Sequence, residues 1–236
     1  MVFLVLGLPR SGTSVVAGLL HRLGVHMGDD LDLAKHVPER PDLPEWNPEF
    51  HEDVDFLRIT GELLSHENRF RGGRLVSAAP PALARLRELV RKRNADHPDW
   101  GVKLPKLLYL FNDFVDMCRP SELALVITRR PFNEVVRSLS KRGSYAAGDT
   151  MYELTPLLFM LDEVAGRYAG PVLEVPYHGL LDDPETWLRK LTDFTGMLYP
   201  FWSATDVVRP ELARFRSERD GHPFQELSQG ASVTRC

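Results

Sequence analysis

Apolar residues along this chain fall into two kinds of run. Unbroken runs, Val2-Phe3-Leu4-Val5-Leu6 and Leu123 to Thr128, have no polar alternation and suit strands buried on both faces. A shorter run from Pro171 to Pro176, ending at Tyr177, is read as a third strand, and Trp100-Gly101-Val102-Lys103 as a fourth. Between them apolar residues recur at helical spacing. Val15/Val16, Leu19/Leu20 and Leu23 make one such face; Val54, Phe56/Leu57 and Leu63/Leu64 make the next. Pro80 to Asn94, Leu107 to Met117, Pro131 to Leu139, Met151 to Tyr168 and the Trp187/Leu188/Leu191/Phe194 segment follow the same period. Strands alternating with amphipathic helices predict an α/β domain. We expect it to span residues 1–216, with 217–236 a polar tail. Gly24 to Pro44 and Gly143 to Thr150 read as long surface loops, and Asn68 to Ala79 as a basic turn.

The first strand leads into Gly7-Leu8-Pro9-Arg10-Ser11-Gly12-Thr13-Ser14, and a helix pattern starts at once behind it. Glycine and proline break the strand as a tight turn would. The helix start then offers unpaired backbone N–H groups and a positive dipole end, which together suit phosphate. A nucleoside-triphosphate loop carries lysine and then a hydroxyl after its second glycine. Here Thr13 holds the lysine position, and Arg10 is the cation of the loop.

Composition narrows the setting without naming a chemistry. The formal net charge is −4, which gives no electrostatic grip on nucleic acid, so any anion site must be local. Cys118 and Cys236 lack metal-ligand spacing and do not form a disulfide framework. No leader is expected before the first strand, and no run approaches the roughly 20 apolar residues of a membrane helix. The expectation is a cytoplasmic protein with no membrane partner.

Pro9-Arg10-Ser11-Gly12-Thr13-Ser14 resembles the 5'-phosphosulfate loop of the sulfotransferase family, P-[KR]-S-G-T-[ST], at every position. Two further strings resemble the same family. Trp100-Gly101-Val102-Lys103-Leu104-Pro105 is similar to its W-G-x-K-x-P string, whose Lys faces the transferring group. An Arg at a strand end with a Ser eight residues on is its signature for the donor's 3'-phosphate, matched by Arg130 and Ser138. The commoner form is R-x-P, and Arg129 is the residue two before Pro131, so both arginines stay candidates. A strand ending in Tyr, then Asp-Pro and a helix, is also a family outline. Tyr177 and Asp183-Pro184 match it, with Tyr177 near the adenine or simply an aromatic at the core edge.

The resemblance implies a three-layer α/β/α fold with a central, mainly parallel sheet and the P-loop-like turn at its N-terminus. It implies the donor 3'-phosphoadenosine 5'-phosphosulfate, held by residues 9 to 14, Arg129 or Arg130, Ser138 and Tyr177. It also implies metal-independent, in-line sulfuryl transfer to a hydroxyl or amine of a small-molecule or carbohydrate acceptor. Arg10 and Lys103 would stabilise the charge that develops on the bridging oxygen. Cytosolic members place a basic His just after the central Lys, where this chain has Leu104 and Pro105. The base then falls to Glu52, with Glu49, His51 and Asp53 as alternatives. Carboxylates there also suit a helix N-terminus electrostatically. A magnesium-dependent phosphotransferase and a silent nucleotide-binding protein are the rival readings.

Overall fold

The structure, a computed structural model, describes residues 1–31, 51–64, 70–71, 74–75, 80–118, 120–140, 147–198 and 208. Its centre is a sheet of four parallel strands, β1 (Val2–Leu6), β4 (Trp100–Lys103), β5 (Leu123–Arg129) and β6 (Val172–Pro176), in the order β4-β1-β5-β6. A separate antiparallel pair joins β2 (Phe70–Arg71) to β3 (Arg74–Leu75).

The unbroken apolar run of β1 has a structural reason. Val2, Leu4 and Leu6 face one side of the sheet, where they meet α2 (Val54–Leu63), α3 (Pro80–Asp96), α4 (Phe111–Met117) and α6 (Ala147–Arg167). Phe3 and Val5 face the other, where they meet α1 (Thr13–Arg22), α7 (Tyr177–Asp182) and α8 (Pro184–Thr195). Both faces are covered, so every β1 position is apolar. This is the expected α/β fold, helices on each side of a parallel sheet. Above the sheet, α5 (Phe132–Ser140) packs on α6 through Val135, Val136 and Leu154, together with Leu8.

Element ends follow local chemistry. Gly196 takes φ 70°, the left-handed conformation that ends α8. Asp53 caps α2 by accepting from the Asp55 and Phe56 amides. Two expectations change. Residues 24 to 31 are not a surface loop, because Val25 and Met27 are buried and His26 bridges Trp100 at the open edge of β4. The expected helix from Leu107 is a 3-10 turn, Pro105–Leu110, that runs on into α4. The rest of the Gly24 to Pro44 stretch, Glu49, residues 141–146 and the tail beyond 208 lie outside the described residues.

Candidate functional site

In a parallel sheet the strands' C-terminal ends all lie at one edge, and ligands bind there. Three adjacent strands deliver the sequence-predicted residues to that edge. Arg10 follows β1, Lys103 ends β4, and Thr128 and Arg130 close β5. Tyr177 follows β6, on the far side of β5.

The β1–α1 turn is tightly held. Gly7 is required by crowding, because a Cβ there would lie 2.2 Å from Thr128 Oγ1 and 2.6 Å from Ser11 Oγ. Gly12 stands at φ 97° as the N-cap of α1, and a Cβ would lie 2.6 Å from the Tyr177 ring. Its N-cap is a glycine, which has no side chain to accept from the first-turn amides, and a helix start of that kind suits an external acceptor. Ser11 works on the loop's shape: its N–H donates to Leu8 O (3.1 Å) and its hydroxyl shares a 2.6 Å hydrogen bond with Thr128 Oγ1. Thr13 is buried, whereas Pro9 and Ser14 are part exposed.

Arg10 also has positive φ, at 69°. For a residue with a Cβ that conformation costs about 1–2 kcal/mol, and such strain concentrates at functional turns. Its Nε donates to Ser138 Oγ at 3.3 Å, which joins the loop to α5.

Lys103 is 2% exposed, and its Nζ donates to Glu52 Oε1 at 2.6 Å. Burial pulls the Lys103 pKa below the ordinary lysine value; Glu52 opposes the fall and the Arg10 charge adds to it. Glu52 thus stands at the N-terminal approach to α2 in direct contact with the cation at the end of β4. Its neighbours serve elsewhere. Asp53, besides capping α2, is a buried partner of Arg93, with Arg93 Nη2 at 2.8 Å from Oδ2. His51, at φ 50°, lies with its ring 6.0 Å from that of His21.

The two candidate arginines part company. Arg129 belongs to the far side of β5, where it pairs with Asp162 of α6 and with Glu174. Arg130 turns toward the loop: its Nη1 donates to Arg10 O (3.0 Å) and its guanidinium lies 4.4 Å from the centre of the Tyr177 ring. Behind it stands Glu134, fully buried, which accepts from Arg130 Nε at 3.0 Å. The His178 ring nitrogen lies 3.0 and 3.1 Å from the two Glu134 oxygens. Neither Glu134 nor His178 is visible as a site residue in the sequence. The only hint is an acidic residue four positions after Arg130, one helical turn away.

Among the described residues one histidine and carboxylate group has metal-ligand proximity, His26, Asp29 and His97. It lies beside the start of β4, at the opposite edge of the sheet from Arg10. The imidazoles stack with centroids 3.5 Å apart and planes 9° from parallel. A metal lies in the plane of each ring that ligates it, and two such planes cannot share one ion. Asp29 is also held by Arg93. These contacts tie residues 26 to 29 to Arg93 and His97 at the C-terminal end of α3.

No protein-family model matches the sequence, and no curated protein matches it significantly. Solved structures do match. The sulfotransferase STF1 of Mycobacterium tuberculosis aligns over 87% of this chain and 70% of its own, at 18% identity and a TM-score of 0.53. The sulfotransferase STF9 of Mycobacterium avium aligns over 89% of this chain and 67% of its own, at 15% identity and a TM-score of 0.52. At such identities the shared property is the fold: this chain has the fold of those sulfotransferases.

Proposed function

We propose that the chain is a sulfotransferase that moves a sulfuryl group from 3'-phosphoadenosine 5'-phosphosulfate to a hydroxyl or amine of a small-molecule or carbohydrate acceptor. One observation carries the reading. The glycine-capped N-terminus of α1, Arg10, and the Lys103–Glu52 pair meet at the C-terminal ends of the neighbouring strands β1 and β4.

The donor supplies the activated sulfuryl group; the chain's residues bind it, balance charge and move protons. The first-turn amides of α1 and Arg10 hold the 5'-phosphosulfate. Ser138 and Arg130 border the same loop and are assigned to the 3'-phosphate. Glu52 accepts the proton of the attacking hydroxyl as the new S–O bond forms. Lys103 stabilises, and can protonate, the oxygen of the 5'-phosphate as the old S–O bond breaks. Charge stabilisation is assigned to these cations and amides, with Arg10 in place of the lysine that a triphosphate loop carries at the position of Thr13. We propose transfer without a metal.

The test is a thermal-shift titration with 3'-phosphoadenosine 5'-phosphate, with and without EDTA, beside ATP with magnesium. A ligand that binds only the native state raises the melting temperature by mass action. The expected result is a chelator-insensitive shift with the bisphosphate that disappears in Arg10→Ala. A shift with ATP and magnesium alone would overturn the proposal in favour of phosphoryl transfer.

A further inference from the structure

Arg130 does more in this structure than a phosphate ligand needs to do. Two of its nitrogens are engaged on protein: Nε on Glu134 and Nη1 on the backbone carbonyl of Arg10. That carbonyl belongs to the one residue of the β1–α1 turn that takes positive φ while carrying a Cβ. Left-handed backbone at such a position persists only when its surroundings fix it. What fixes Arg130 is in turn built in. The side chains of Arg130 and Glu134 are 5% and 0% exposed, and His178 lies against both oxygens of Glu134 from α7. The Tyr177 ring closes the stack: Arg130 packs on it, and it sits against Gly12, the other left-handed residue of the turn.

We propose that Glu134 is a positioning residue for the phosphate turn, acting through Arg130 to hold the Arg10 carbonyl and so keep Arg10 left-handed. In that conformation the Arg10 side chain reaches Ser138. The chain of contacts runs from His178 on α7, through Glu134 on α5 and Arg130 after β5, to the turn after β1. Its effect is on the 5' end of a bound nucleotide, whether or not a 3'-phosphate is present. This extends the assignment of the turn to a 5'-phosphosulfate and rests on it for the nucleotide readout alone.

Two measurements on Glu134→Gln test it. The exchange of the amides of residues 10 to 14 is followed by hydrogen–deuterium exchange in the nucleotide-free protein. Affinity is followed by calorimetry for adenosine 5'-phosphosulfate, which lacks the 3'-phosphate, and for 3'-phosphoadenosine 5'-phosphate. Glutamine keeps the shape of the side chain and removes the charge that clamps the guanidinium. The expected result is faster exchange confined to the turn, with β1 and β5 unchanged, and about tenfold weaker binding of both nucleotides. Arg130→Lys, which keeps a charge but has no fork to bridge two acceptors, should give the same faster exchange in the turn if Glu134→Gln does not fold, and is read by exchange alone because Arg130 is also assigned to the 3'-phosphate. Unchanged exchange in the turn, or a loss confined to the 3'-phosphorylated nucleotide, overturns the inference. If the wild-type protein binds neither nucleotide, the proposed function falls, and exchange in the turn still decides the role of Glu134.

Discussion

At the scale of single residues the site turns on which way neighbouring side chains point. Glu52 and Asp53 are adjacent, yet Glu52 contacts Lys103 while Asp53 turns to cap α2 and meet Arg93. Arg129 and Arg130 divide in the same way about the end of β5. Spacing along a sequence names such pairs but does not choose between them, since a shift of one residue at a strand end moves a side chain to the other face. Lys103 carries the residue-scale prediction. A cation whose pKa is depressed gives up its proton at lower pH than a free lysine does. If its charged form is the working form, turnover falls on the alkaline side below the ordinary lysine value of about 10.4. The sign follows from burial as the leading cause, with the Glu52 contact too small to reverse it. A pH profile of kcat checks this. Lys103→Arg should move the alkaline fall to higher pH, because arginine stays charged throughout.

At the scale of elements, helix α3 sets the place of Glu52 from a distance. Arg93, near its C-terminal end and 1% exposed, holds Asp53 at the head of α2 and also contacts Asp29. Removing one partner of a buried ion pair strands the other. Arg93→Leu should therefore lose about 3–5 kcal/mol in urea unfolding. Part of that contribution depends on pH. Burial alone would raise the Asp29 pKa, but the Arg93 charge and hydrogen bond bring it below the ordinary value. A carboxylate depressed in the folded state stabilises above its unfolded pKa and stops doing so as pH falls through the folded one. The gap between wild type and Arg93→Leu should thus narrow in acid. The elements themselves were legible from periodicity, because β1, α1 and α8 carry their own start and stop signals within a few residues. Segment 25 to 30 was not, since Gly28, Asp29 and Asp30 mask the alternation of Val25 and Met27. Nor was the Glu134 clamp, because an acidic residue in a first helical turn has an ordinary electrostatic reason to be there.

At the scale of the whole molecule, the strand order makes the site an assembly of distant segments. β1 pairs with β4 from Val2↔Trp100 onward and with β5 from Val2↔Leu123 onward. Pairings of such separation must pay loop closure before they return any stabilisation, which slows folding. Refolding from urea should recover helical circular dichroism before nucleotide binding, in stopped-flow traces run with both probes. Simultaneous recovery would mean that the sheet forms as early as the helices. The central position of β1 has a consequence for the chain as it is made. The strand that leads into the phosphate turn is made before both of the strands that flank it. At about 5–20 residues per second, Val2–Leu6 waits roughly 6 to 25 s before Leu123–Arg129 exists to cover its second edge. Throughout that interval the nascent chain carries an uncharged, five-residue apolar strand, which is the kind of segment that pairs with a stranger unless a chaperone holds it.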